Sequence, residues 1–154
     1  KNSTFRILAT HHFGSRITMG VLTVFLDKIR HLRDEDTLGR SDPYVIFELE
    51  KDNWVFDKTL GECQSTKKSN DCNPEYGETF TFDNVPSIEN MVLHIKVYDD
   101  DVGRDDLLGA CDIKLDDLGI SGEPLEVEKV IDNKKGEGWF SRKARIFLKV
   151  SFTE

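Results

Sequence analysis

Apolar and polar residues alternate in short runs along most of this chain. In the clearest run, near the C-terminus, Ile146, Leu148 and Val150 share one face, and the residues between them take the other. A period of two residues is typical of a β-strand, whose successive side chains point to opposite faces. The pattern predicts eight strands: Val21–Leu26, Tyr44–Leu49, Glu62–Lys67, Thr79–Phe82, Met91–Tyr98, Leu108–Leu115, Leu125–Ile131 and Arg145–Phe152.

Turn-forming residues separate these eight runs. Glycine, proline, asparagine and aspartate cluster at Leu38–Pro43, Asn73–Gly77, Asn84–Ser87, Asp99–Gly103, Gly119–Pro124 and Asn133–Gly138. The one helical pattern is the short segment Asp116–Ile120, so the chain lacks the helical crossovers that a parallel sheet requires. We therefore predict an all-β fold, an eight-stranded antiparallel β-sandwich whose two sheets share one core, with function in its end loops.

Length and composition indicate one folded domain. The chain has 154 residues, of which 38% are hydrophobic and 32% are charged, well away from disordered compositions. We assign residues 19–154 to the domain and residues 1–18 to an N-terminal tail or an expression remnant, with an added edge strand as the alternative. No apolar run approaches the ~18 to 20 residues that cross a bilayer, so we expect any membrane contact to be at the surface.

The acidic residues are concentrated in two short segments. Four acidic residues and one arginine lie at positions 34–42, and five acidic residues and one arginine lie at positions 99–106. These segments therefore carry −7 of the formal net charge of −8. This balance argues against a nucleic acid partner, because phosphate backbones are bound by basic faces. Solvated acidic loops are the simplest interpretation of either segment alone, but two such segments suggest a common site.

The carboxylates of both segments flank tight turns. They are Asp36 and Asp42 in the first segment, and Asp99, Asp101, Asp105 and Asp106 in the second. Gly39 and Gly103 allow the chain to reverse, so each set can face one point. Carboxylate oxygens without histidine or cysteine favour Ca²⁺ over zinc or copper, whereas Mg²⁺ keeps more of its water. The sequence therefore predicts a Ca²⁺ site in the end loops.

The second acidic segment superficially resembles the Ca²⁺ loop of an EF-hand. Asp99, Asp101 and Gly103 take positions one, three and five of such a loop. The sixth position is then Arg104, where glycine is required, and the twelfth is Ala110, where a bidentate glutamate is required. The flanking segments are also predicted strands, which excludes an EF-hand.

Several ordered motifs resemble those of one family. They are Gly20–Val24, then Asp36 through Gly39 to Ser41–Val45, then Asn73–Phe80, and then Val97–Asp101 followed by Asp106–Gly109. In this order they resemble a C2 domain that extends from about Met19 to Phe152. The resemblance implies a Greek-key sandwich of eight strands that binds Ca²⁺ in end loops and docks on phospholipid. The terminal run Arg145–Phe152 resembles the last strand of the permuted arrangement called type II.

The resemblance also implies roles for individual carboxylates. Asp36 and Asp42 match the ligands of the first loop, and Asp99 and Asp101 match the paired ligands of the third loop. The last ligand of the third loop matches Asp106, which directly precedes a Leu-Leu-Gly motif. Because this loop is one residue shorter than in the family, Asp105 remains a competing candidate for that role.

Five further residues are candidates for contact with lipid. Lys67 and Lys68 lie where some C2 domains carry a lysine-rich cluster for phosphoinositide headgroups, although ordinary exposed charge is the alternative. Leu38, Val102 and Arg104 lie near the predicted loop tips. Insertion of these tips into lipid and simple solvent exposure both agree with the sequence.

These observations favour a non-catalytic, Ca²⁺-dependent module that binds anionic phospholipid at a membrane surface. We expect a cytoplasmic monomer that becomes peripheral to the membrane on binding Ca²⁺, with an additional protein partner left open. The nucleophile and base combinations of catalysis are absent from the sequence, so we predict that the chain is not itself an enzyme. Two alternatives remain, a Ca²⁺-independent protein-interaction domain and the targeting domain of a larger enzyme.

The three cysteines indicate the redox environment in which the protein acts. Cys63, Cys72 and Cys111 are too few for a disulfide scaffold and lack the spacing of zinc or redox motifs. We expect buried free thiols in a reducing compartment. The alternative is a bridge between Cys63 and Cys72 in a secreted protein.

Overall fold

A computed structural model describes residues 18–33, 41–53, 57–132 and 143–154. Within these ranges the chain forms eight strands and one short 3₁₀ turn at Asp116–Leu118. The strands are β1 (Gly20–Arg30), β2 (Pro43–Lys51), β3 (Lys58–Gln64), β4 (Glu75–Val85), β5 (Met91–Asp99), β6 (Asp106–Lys114), β7 (Leu125–Val130) and β8 (Arg145–Thr153). The predicted all-β class is confirmed, and positions 1–17 of the predicted tail lie outside the described residues.

The strands form two four-stranded sheets. One sheet has the order β4-β1-β8-β7, the other has the order β3-β2-β5-β6, and all neighbouring pairs are antiparallel. The last strand of the chain therefore lies in the interior of its sheet, between β1 and β7. This arrangement is the predicted antiparallel β-sandwich.

Alternating side chains of both sheets build one apolar core. In β1 the core-facing residues are Leu22, Val24 and Leu26, all fully buried, and β8 contributes the face predicted from its alternation. In the opposite sheet Phe47 and Ile95 are fully buried. Complete burial of side chains of this size stabilises the fold by about 1.5–3 kcal/mol each, which fixes the register of every strand that carries them.

The third strand lies earlier in the chain than the predicted run Glu62–Lys67. It covers Lys58–Gln64 and pairs with β2 as far as the contact between Lys51 and Lys58. Gly61 lies inside this ladder, where an added Cβ would come within 3.1 Å of the Phe82 ring. Close packing between the sheets therefore explains a glycine that local propensity disfavours in a strand.

The fourth strand is longer than predicted at both ends. The turn predicted at Asn73–Gly77 is partly strand, since β4 begins at Glu75 and continues through Gly77, which has φ +65°. The pairing with β1 shifts at this point, where Leu26 pairs with Glu78 and Lys28 pairs with Glu75. A β-bulge with glycine in the left-handed region accounts for both observations.

Three inter-strand segments lie at the same end of the sandwich. They connect β1 to β2, β3 to β4, and β5 to β6. Pro43 at the start of β2 pairs with Asp99 at the end of β5, which pairs in turn with Asp106 at the start of β6. The antiparallel order therefore brings Asp42, the last residue of the first acidic segment, to the same end of the molecule as Asp99 and Asp106 of the second.

The three cysteines are free and only half-buried, whereas the sequence predicted full burial. Burial and the neighbouring Asp112 carboxylate raise the pKa of the Cys111 thiol to about 12, which keeps it protonated at neutral pH. Separately, among the described residues, no helix has the length and apolar character needed to span a bilayer.

Candidate metal centre

Asp99 is the most buried carboxylate at the acidic end of the sandwich, among the residues that the structure describes. It ends β5 on the core-facing side, and only 1% of the residue is exposed. Its Oδ1 accepts a hydrogen bond of 2.7 Å from the backbone N–H of Asp42. Its Oδ2 is buried and has no hydrogen-bond partner within the described part of the chain. A buried, unpaired carboxylate oxygen costs free energy that a bound cation would recover, so this atom fits a metal ligand.

Asp42 links the first acidic segment to the other two loops. Besides donating its N–H to Asp99, it accepts the backbone N–H of Asn70 at Oδ1, over 2.7 Å. Its carbonyl oxygen accepts the N–H of Asp100 at 3.2 Å. These bonds hold together two residues that the sequence assigned to different loops of one site, Asp42 and Asp99.

The two candidates for the last ligand differ in their positions and contacts. Asp106 is the cross-strand partner of Asp99, so their side chains leave the sheet on the same face, with Cβ atoms roughly 4.5–5.5 Å apart. Asp105 instead accepts the Tyr44 hydroxyl at Oδ2, over 2.6 Å, and the N–H of Asp101 at Oδ1, over 3.3 Å. Asp105 therefore contacts Tyr44 and Asp101, and Asp106 lies opposite Asp99 in the ladder between β5 and β6.

Two stacked tyrosines support this end of the sheet from the side away from the core. The rings of Tyr44 and Tyr98 lie 5.7 Å apart with 20° between their planes. Burial raises the pKa of Tyr44 to about 12, and the Asp105 carboxylate adds to the increase. The Tyr44 hydroxyl therefore stays protonated and donates to Asp105 throughout the physiological range.

The described residues contain only part of the predicted ligand set. Asp36 and Leu38 lie outside the described residues, and Asp101 lies half-buried in the β5–β6 loop. In the ranges that are described, no three histidine, cysteine or acidic side chains converge as a complete metal-binding group. The structure therefore gathers candidate ligands at one end without giving a finished coordination sphere.

The β3–β4 loop belongs to this end of the molecule, which the sequence did not predict beyond its two lysines. Backbone hydrogen bonds tie it to the entry of β2, from Ser65 to Val45 at 2.9 Å and from Lys68 to Pro43 at 3.1 Å. Asn70 then reaches Asp42, as described above. Because the donors are backbone N–H groups, no residue type in the sequence could have signalled these contacts.

The two lysines of this loop have acidic neighbours. Lys67 Nζ lies 2.5 Å from Oδ2 of Asp100, and Lys68 Nζ lies 3.9 Å from Oε1 of Glu78. Lys68 also lies over the Tyr76 ring, 5.3 Å from its centroid. They are directed to different partners and do not form one cluster.

Two of the predicted loop-tip residues are solvent-exposed. Val102 is completely exposed at the turn of the β5–β6 loop, and Arg104 is exposed two residues later. A fully exposed valine beside a carboxylate site is available for contact with another surface.

Solved structures with the same fold include domains of extended synaptotagmins and of a phospholipase. The first C2 domain of plant extended synaptotagmin 1 aligns with a TM-score of 0.70 and 22% identity, covering 88% of this chain and 95% of that one. The paired C2 domains of extended synaptotagmin 2, solved with calcium bound, align with a TM-score of 0.67 and 22% identity. That alignment covers 87% of this chain and 45% of that one. Human GIVD cytosolic phospholipase A2 aligns with a TM-score of 0.69 and 22% identity, and the alignment covers 89% of this chain and 17% of that one. At this identity the likeness establishes the fold.

Sequence comparison establishes the family. The family model for the C2 domain matches residues 20–141. Synaptotagmin-3 of Homo sapiens is 33% identical over 120 residues, 77% of this chain and 20% of that protein. Synaptotagmin-9 of Rattus norvegicus is 38% identical over 98 residues, 62% of this chain and 19% of that protein. The chain therefore belongs to the C2 domain family of calcium- and phospholipid-binding modules, and it spans about a fifth of the length of these relatives.

Proposed function

We propose that this domain binds anionic phospholipid at a membrane surface in response to Ca²⁺, without catalysing a reaction. The observation that carries the proposal is the buried Asp99 carboxylate, whose Oδ2 has no partner within the described residues. It lies where β2, β5 and β6 meet, beside Asp42 and Asp106. The calcium-bound relative and the family membership support the same function.

The proposed ligands are carboxylates of the two acidic segments. They are Asp36, Asp42, Asp99, Asp101 and Asp106. We leave Asp105 out of the set because its two oxygens accept hydrogen bonds from Tyr44 and Asp101. Oxygen donors of this kind suit Ca²⁺, which when bound would neutralise carboxylate charge and accept lipid phosphate oxygens at its remaining positions.

Electrostatics makes this arrangement a switch. The two acidic segments carry −7, and an anionic leaflet at roughly −30 mV repels them. Two divalent ions at the site would reduce that charge from −7 to −3. The exposed Val102 at the same end is then free to contact lipid. The free thiols support our proposal that the domain acts on the cytoplasmic side of a membrane.

Liposome sedimentation tests this function. We expect the protein to pellet with vesicles of phosphatidylserine in phosphatidylcholine when Ca²⁺ is present, and to stay in the supernatant in chelator or with phosphatidylcholine alone. Pelleting that is equal in chelator would contradict the switch and favour a Ca²⁺-independent interaction domain. Failure to pellet under every condition would also contradict it.

A matched pair of variants tests the ligand assignment in the same assay. We expect Asp106→Asn to raise the Ca²⁺ concentration for half-maximal pelleting by about tenfold or more, the loss of roughly one charge-assisted contact. Asp105→Asn should shift that Ca²⁺ concentration by less than about threefold, because the Asp105 carboxylate accepts a hydrogen bond from the Tyr44 hydroxyl. The reverse order of effects would assign the last ligand to Asp105.

A further inference from the structure

Lys67 is solvent-exposed, and its ammonium group lies beside the proposed site. Its Nζ forms a 2.5 Å hydrogen bond with Oδ2 of Asp100, in the β5–β6 loop. That hydrogen bond raises the pKa of Lys67, and the negative charges of Asp100, Asp42 and Asp105 add to the increase. The lysine is therefore a permanent positive charge within the field of the carboxylates that we propose as ligands or their neighbours.

The backbone fixes this position. Ser65 and Lys68, on either side of Lys67, have their N–H groups bonded to carbonyl oxygens of β2. Three residues after Lys67, Asn70 donates to the Asp42 carboxylate. The Lys67 side chain thus begins from a segment that is hydrogen-bonded to β2 on both sides and to Asp42 of the site on its C-terminal side.

The adjacent lysine differs in its surroundings. Lys68 contacts Glu78 and the Tyr76 ring in β4, and neither residue belongs to the acidic segments. Removal of the Lys68 charge changes the net charge of the protein as much as removal of the Lys67 charge does. Lys68 is therefore a matched control for position.

We propose that Lys67 acts as an internal counter-cation that sets the Ca²⁺ affinity of this domain. In the metal-free protein its charge offsets the repulsion between neighbouring carboxylates. In the metal-bound protein the same charge faces a divalent cation and is unfavourable. Lys67 therefore stabilises the free state relative to the bound state and weakens Ca²⁺ binding by linkage. This inference rests on the Ca²⁺-binding function proposed above.

Calorimetric titration with CaCl₂ measures the effect. We expect Lys67→Met to bind Ca²⁺ about two- to fivefold more tightly than the wild type, the size typical of a partly screened charge near a site. Lys68→Met should stay within about twofold of the wild type. At 1 M salt, where the Debye length is about 3 Å, the difference between the two variants should shrink towards zero.

Thermal unfolding in chelator measures the other half of the proposal. We expect Lys67→Met to lower the melting temperature of the metal-free protein, and the same change to have little effect in an Asp100→Asn background. Lys67→Gln removes the charge while keeping a polar side chain, and it replaces Lys67→Met if that variant does not fold. An equal decrease in melting temperature in the wild-type and Asp100→Asn backgrounds would show that Lys67 does not act through Asp100.

The outcomes separate this inference from the function on which it rests. If the wild type binds Ca²⁺ and the Lys67 variants bind it equally or more weakly, Lys67 does not set the affinity and the binding function stands. If the wild type gives no binding heat at millimolar Ca²⁺, the binding function itself fails and this inference fails with it.

Discussion

At the scale of single residues, Asp99 combines two properties that conflict without a metal. It is almost completely buried, and one of its carboxylate oxygens has no partner within the described residues. A buried charge without compensation destabilises the folded state. Its other oxygen organises the site by accepting the N–H of Asp42. Asp99 therefore favours metal binding at the expense of the stability of the metal-free fold.

This conflict predicts the behaviour of Asp99→Asn. The neutral amide keeps the shape of the side chain and removes the buried charge, so we expect a higher melting temperature than the wild type in chelator. Millimolar Ca²⁺ should raise the melting temperature of the wild type by several degrees, since a ligand at a hundred times its Kd adds about 2.7 kcal/mol to the free energy of unfolding. The variant should lose most of that shift, as followed by differential scanning fluorimetry.

Asp116→Asn is the control for this comparison. Asp116 is exposed in the 3₁₀ turn after β6, at the end of that strand away from Asp106. It should keep the full Ca²⁺ shift. A full shift in Asp99→Asn would exclude Asp99 as a ligand.

At the scale of elements, β6 holds the last proposed ligand in place through close packing. Gly109 pairs with Val97 of β5, and the next residue, Ala110, forms a bridge with Asp132 beyond β7. An added Cβ at Gly109 would lie 2.5 Å from Ile131 Cγ2 and 3.1 Å from the Asp132 carbonyl oxygen. The approach of these two segments therefore requires a residue without a side chain.

We accordingly predict that Gly109→Ala destabilises the fold. Because β6 is held by neighbours on both sides, relief of the clash requires backbone movement, and overpacking of this kind costs about 1–3 kcal/mol. Urea denaturation should give a lower midpoint with an unchanged slope.

Gly122→Ala serves as the comparison for that measurement. A Cβ at Gly122 meets no atom within 4 Å, so its midpoint should stay close to that of the wild type or rise slightly. Equal midpoints for Gly109→Ala and the wild type would refute the packing argument.

At the scale of the whole molecule, the charge distribution is polarised. Most of the formal charge of −8 belongs to two segments of the sequence, and their described residues Asp42, Asp99 and Asp106 lie at one end together with the fully exposed Val102. Electrostatic attraction to a membrane is screened by salt, whereas burial of an apolar side chain is not. The salt dependence of binding therefore separates the two contributions.

We predict that Ca²⁺-dependent pelleting with phosphatidylserine vesicles falls between about 0.15 M and about 1 M salt without reaching zero. The resistant fraction reflects insertion of Val102. The substitution Val102→Gln should abolish that fraction and leave Ca²⁺ binding by calorimetry unchanged, because Val102 offers no ligand oxygen from its side chain. Complete loss of wild-type binding at the higher salt concentration would exclude a contribution from insertion.

The sequence determined the eight strands and their class through local properties. Alternation in Arg145–Phe152 predicted the buried face of β8, since a period of two is imposed by the backbone wherever the strand lies. It also singled out the acidic positions, because carboxylates beside tight turns have a definite chemistry. The bounds of β3 and β4 were wrong because Gly61 and Gly77 have tertiary roles, in close packing and in a bulge.

Only the tertiary structure decided how these parts are connected. The pairing of Asp99 with Asp106, the hydrogen bond from Tyr44 to Asp105 and the ion pair of Lys67 with Asp100 join residues from different strands and loops. Strand order and register create these contacts, and both depend on the burial of all core faces at once. Local sequence therefore specifies which groups are available, and the packing of the two sheets determines which of them meet.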